Sequence, residues 1–95
     1  MTGTKRSSEG LDPRRAKLLF RSWHRGIREM DLVLGRFADD KIHALTEAEM
    51  DQYERLLEAQ DADILSWLMG GQPTPAAYDN SVFAMILASC EPATN

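Results

Sequence analysis

The titratable and nucleophilic side chains of this chain are too scattered to assemble a catalytic centre. His24 and His43 stand nineteen positions apart, without cysteines or a shared carboxylate motif to complete a ligand set, so a metal site is not expected. The single cysteine, Cys90, excludes an intrachain disulfide, and no serine sits in a strand-turn-helix glycine elbow. Gly70-Gly71 lacks the spacing and the preceding strand of a phosphate loop. What is left is a segment suited to recognition: Arg25-Gly26-Ile27-Arg28-Glu29. Guanidinium and carboxylate groups make charge-assisted hydrogen bonds, and Gly26, with no side chain, lets a partner's backbone come close. The same residues have a plainer reading. Arg25 and Glu29 can be an exposed i,i+4 pair contributing about 0.2 to 0.5 kcal/mol, and Gly26 can relieve a helix junction. Either way the chain reads as a binding module and not as an enzyme.

Charge is unevenly spread. Residues 1–36 hold nine basic and four acidic side chains, whereas the remainder holds two basic and eleven acidic ones, for a net charge of −4. A positive end of this kind attracts nucleic acid, an anionic surface or an acidic protein patch, since long-range attraction does not distinguish them. A solvated helix face is the plain alternative. Ninety-five residues make one small domain. The basic N-terminus has no apolar run behind it and is not a secretory signal, and no stretch reaches the length of a membrane span. Bacterial cytoplasm is the simplest placement, with the mitochondrial matrix as the eukaryotic counterpart.

Five helices can position the segment. Asp12-Pro13 predicts a start, with Asp as cap and Pro at the first helical position, and helix one runs to Trp23 with Ala16, Leu19, Phe20 and Trp23 as its core stripe. A second helix begins near Gly26 or Ile27, buries Ile27, Met30, Val33, Leu34 and Phe37, and ends near Asp39 to Ile42. Gly35 within it either permits a close approach or sits on an exposed side. At 100° per residue Glu29, Leu32 and Arg36 stack on the face opposite the core, joined by Arg25 if the helix extends back to it. Leu45-Thr46-Glu47-Ala48-Glu49-Met50 predicts a capping box between Thr46 and Glu49, with Leu45 and Met50 as a hydrophobic staple. Asp61 predicts the cap of a fourth helix carrying Ile64, Leu65, Trp67 and Leu68 and stopped by Gly70-Gly71, and Thr74-Pro75 the start of a fifth running to about Ser89. No segment asks for a strand. The expected fold is all-α, a compact five-helix bundle in a single domain over 12–89, between flexible tails at 1–11 and 90–95.

The run Phe20-Arg21-Ser22-Trp23-His24-Arg25-Gly26-Ile27-Arg28-Glu29-Met30-Asp31 resembles the RGxxE signature of the SdhE family, the flavinylation assembly factors of succinate dehydrogenase. Tyr53-Glu54-Arg55-Leu56-Leu57-Glu58 and Asp61-Ala62-Asp63-Ile64-Leu65-Ser66-Trp67-Leu68-Met69 are similar to that family's second block, so the resemblance covers residues 14 to about 88. It implies a five-helix domain that binds the flavoprotein subunit of succinate dehydrogenase, and in some bacteria that of fumarate reductase, and promotes covalent attachment of FAD to a histidine of that subunit. On this resemblance Arg25, Gly26 and Glu29 inherit the motif's role at the interface. Arg28, Asp31, Leu32 and Arg36 join them as candidate contacts, and His24 stands where many relatives carry a basic residue. FAD belongs to the client and touches this chain only in the complex, and the free chain is expected to be a monomer with no membrane insertion. Two other readings stay open on the residues alone: a nucleic-acid-binding or antitoxin-type helical protein using Arg14, Arg15, Lys17, Arg21, Arg25 and Arg28, and an enzyme acting on flavin.

Overall fold

A computed structural model describes residues 10–90, and most of the tails expected over 1–11 and 90–95 lies outside them. Among the described residues there are five α-helices, two single-turn 3-10 segments and no strand, as an all-α chain requires. No helix among them is long and apolar enough to cross a membrane. Contacts divide the chain into two units, the division falling between Leu45 and Thr46.

The first unit holds α1 (Pro13–Trp23), α2 (Arg28–Lys41) and a 3-10 turn (Ile42–Ala44). Asp12 caps α1 as expected, its carboxylate accepting the Arg15 backbone N–H at 3.3 Å. The buried stripe of α1 is not the expected one. Leu18, Leu19 and Ser22 are buried, whereas Phe20 is 61% exposed and Trp23 only half-buried. Ser22 explains the rotation: its hydroxyl donates to the Leu18 carbonyl at 2.7 Å, which satisfies the one polar atom that would otherwise resist burial. On α2 the buried residues are Met30, Leu34, Gly35, Phe37 and Ala38, so Ile27 and Val33 are corrected to exposed and half-buried. Gly35 is a close-approach glycine. The Trp23 indole lies over it so tightly that an added Cβ would overlap the ring, and the indole N–H donates to Asp39 Oδ1 at 3.2 Å.

Arg15 ties the far end of this unit. Its Nε donates to the Ile42 carbonyl at 3.0 Å, its Nη2 to the Leu45 carbonyl, and its Nη1 to Asp12 Oδ1 at 2.7 Å. The first carbonyl lies in the turn that follows α2 and the second on Leu45, the residue that caps that turn.

The second unit holds α3 (Glu47–Leu57), α4 (Asp61–Met69), a 3-10 turn (Ala76–Tyr78) and α5 (Ser81–Cys90). Its buried residues are Met50, Tyr53, Leu56, Leu57, Ile64, Val82, Phe83 and Ile86. The capping box is complete: Glu49 N–H donates to Thr46 Oγ1 at 3.1 Å and Thr46 N–H to Glu49 Oε1 at 2.9 Å. We expect Thr46→Ala to cost about 1 kcal/mol in urea unfolding, with no change in the fold. Two expectations fail here. Asp61 is the first residue of α4 and not its cap; Gln60 holds the cap position, without a side-chain bond. Of the four apolar residues assigned to its packed face, only Ile64 is fully buried, and Leu65, Trp67 and Leu68 are half-buried. Gly70 ends it in the left-handed region (φ 80°), as expected of a C-terminal glycine.

Thr74-Pro75 does not open α5, which begins six residues after Pro75, at Ser81. Asn80 supplies the cap, its Oδ1 accepting the Phe83 N–H at 3.0 Å, and Gln52 of α3 accepts from both the Val82 N–H and the Ser81 hydroxyl at 3.1 Å. The stretch between folds into the short 3-10 turn, which carries Tyr78 and stacks it on Trp67 with ring centroids 4.9 Å apart. Tyr78 is therefore not a residue of α5.

Candidate functional site: the loop between the first two helices

Four residues, His24 to Ile27, join α1 to α2. The chain leaves α1 at His24 (φ −129°, ψ 54°), turns at Gly26 with φ 98°, and enters α2 through an extended Ile27 (φ −121°, ψ 126°). A positive φ is readily reached only by glycine, so Gly26 is required by backbone geometry, and the space around it is open. It relieves the junction between two helices, as the plainer reading of it holds.

Arg25 lies in this loop, outside α2, and does not continue the helical stack as the wheel allowed. It is half-buried, and its backbone N–H donates to Asp31 Oδ1 at 2.7 Å. Asp31, in the first turn of α2, thereby reaches back six residues to hold the loop. Ile27 at the cap position offers no side-chain acceptor, so the helix start is tied down through Asp31 instead.

Arg28, Glu29 and Arg36 are exposed on α2 and Leu32 is half-buried, while Met30, Leu34 and Phe37 face inward. The outward stripe read from the periodicity is thus present at Glu29 and Arg36, with Leu32 half-buried between them. Beside it stands a feature that sequence reasoning assigned to the core. Phe20 is exposed and stacks on the His24 ring, with centroids 4.0 Å apart and planes 17° from parallel. His24 Nδ1 lies 2.7 Å from the Phe20 carbonyl, and because a carbonyl can only accept, Nδ1 carries the proton. The signal that would have placed Phe20 outside is the heptad-like run Arg15, Leu18, Leu19, Ser22, legible only once a serine is admitted to a buried face.

Chemically this surface offers guanidinium donors, a carboxylate acceptor and an aromatic plate. Among the described residues no group of three or more His, Cys, Asp or Glu side chains is placed to hold a metal ion.

Comparison with known proteins gives the chain its kin. The family model described as flavinator of succinate dehydrogenase matches residues 16–90, a span that takes in the whole loop and all of α2. A protein of Scheffersomyces stipitis is 48% identical over 63 residues, covering 66% of this chain and 42% of that protein. Relatives from Dictyostelium discoideum and Danio rerio are each 36% identical, over 81 and 83 residues, covering 85% of this chain and 57% and 52% of their own lengths. All three bear the name succinate dehydrogenase assembly factor 2, mitochondrial. The chain spans about half the length of the relatives it matches. With a family match over most of its length, the chain belongs to the family described as flavinator of succinate dehydrogenase, the SdhE family.

Proposed function

We propose that this chain is an assembly factor that binds the flavoprotein subunit of succinate dehydrogenase, with its FAD, and favours the conformation in which FAD becomes covalently attached to a histidine of that subunit. The family match over residues 16–90 carries this reading, because it spans the turn at Gly26 and the exposed stripe of α2. The chemistry of attachment belongs to the client in this proposal, and the chain supplies a surface. Guanidinium groups at Arg25, Arg28 and Arg36 and the carboxylate of Glu29 make charge-assisted, geometrically specific hydrogen bonds to a folded partner. FAD stays with the client, and any contact to it forms only in the complex. The flavoprotein subunit of fumarate reductase is proposed as a second client for the same surface. The free chain is proposed to be monomeric and to work where its client is assembled, in the mitochondrial matrix or the bacterial cytoplasm.

The test is co-expression of the client subunit with this chain or its Glu29→Ala variant. Glu29 is exposed and holds no buried contact, so circular dichroism and melting should match the parent chain. Covalent flavin on the client, read as fluorescence of the denatured subunit in a gel, should fall roughly tenfold, the size expected for loss of a central interface group. Undiminished flavinylation with Glu29→Ala, Arg28→Ala and the double variant would refute the reading.

A further inference from the structure

We infer that Asp31 is a positioning residue: it acts through Arg25, by fixing the loop before a partner arrives, and makes no contact of its own with that partner. The inference rests on the reading of this loop as the client-binding surface. Three observations carry it. The Asp31 carboxylate accepts the Arg25 backbone N–H at 2.7 Å in a half-buried setting, where a charged acceptor is less screened than at the surface. Between these two residues lies Gly26 at φ 98°, the residue type with the widest choice of backbone conformations. Ile27 at the head of α2 has no capping side chain, so nothing on the cap residue itself holds the entry to the helix. The Asp31 bond restrains rotation about Gly26 and so narrows the directions in which Arg25 stands relative to Arg28 and Glu29. With it, the backbone on either side of the glycine is pinned, and the guanidinium and carboxylate are offered in one arrangement. A preorganised loop of this kind binds more tightly because its ordering is complete in the free protein.

The Asp31 backbone N–H also donates to the Ile27 carbonyl at 3.0 Å, so the same residue closes the first helical turn and the loop before it. A carboxylate used in this way has its Oδ1 turned toward its own chain. That separates Asp31 from Glu29, which is exposed and free to face a client.

The experiment compares Asp31→Ala and Asp31→Asn with the parent chain, with Glu29→Ala as reference, in amide hydrogen exchange and in flavinylation of the co-expressed client subunit. Asp31→Ala should speed exchange of the Arg25 amide by roughly tenfold or more and lower flavinylation several-fold. Asp31→Asn keeps an oxygen in place of Oδ1 and should retain both the slow exchange and most of the flavinylation. Parent-like exchange in Asp31→Ala would overturn the inference, as would lost flavinylation in Asp31→Asn while the Arg25 amide stays protected, which would make Asp31 a charged contact. Should Asp31→Ala fail to fold, the Asp31→Asn result decides alone. Normal flavinylation in Asp31→Ala beside a defective Glu29→Ala rejects the positioning role and leaves the function standing. Normal flavinylation in both rejects the function itself.

Discussion

Replacing Gly35 by alanine is expected to destabilise the chain by about 2 kcal/mol, lowering its melting temperature by roughly 10 °C. The sign is the informative part. Glycine inside a helix is ordinarily worse than alanine by up to about 1 kcal/mol, so the substitution should help anywhere on an open face. Here the added methyl meets the middle of the Trp23 indole, a rigid plate and not the end of a flexible chain. The indole N–H is bonded to Asp39, so the ring cannot move away without giving up that bond. A double-mutant cycle checks the cause. In a Trp23→Ala background the same Gly35→Ala change should be neutral or stabilising, and equal destabilisation in both backgrounds would refute the contact.

Arg15→Ala is expected to cost about 2 to 3 kcal/mol, read from urea unfolding. The side chain donates to the Ile42 and Leu45 carbonyls and to Asp12, so its removal leaves both carbonyls without their charged donor. Arg15→Lys should recover only part of the loss, because an ammonium is a point donor where the guanidinium is a fork. The pair with Asp12 adds a pH signature. The hydrogen bond from Arg15 holds the Asp12 carboxyl below its ordinary value, so the folded state favours the charged form. Its contribution is therefore complete above the usual carboxylate range and fades as the pH falls through it, below about pH 4. Stability of the parent chain should decline more steeply there than that of Arg15→Ala, and parallel pH profiles would show that the ion pair is inert.

These examples show which features a sequence can carry. α1 and the capping box at Thr46 are legible because their signals are complete within four or five residues. The start of α5 is not. Thr74-Pro75 has the same local signature as Asp12-Pro13, yet the helix begins where Asn80 and, from thirty residues away, the Gln52 side chain take up its free donors. A stripe of apolar residues runs through Phe20 and points it inward on the sequence alone, whereas the buried, self-satisfied Ser22 turns the buried face away from it. At the candidate site the exposure of Glu29 and Arg36 follows from helical periodicity and is found as read, while Leu32 of the same stripe is half-buried. The bond from Asp31 to the Arg25 amide and the positive φ of Gly26 depend on how a loop closes, which residue spacing does not encode.

The chain has two tryptophans, and they fall on either side of the division between its units: Trp23 against Gly35 in the first, Trp67 stacked on Tyr78 in the second. Each indole is thus an intrinsic optical reporter for its own unit. Fluorescence of the Trp67→Phe form follows α1 and α2 as they melt, and that of the Trp23→Phe form follows α3 to α5. Coincident curves mean one cooperative transition and separated curves mean two. The choice of these two positions makes the cooperativity of the whole chain measurable without any attached dye.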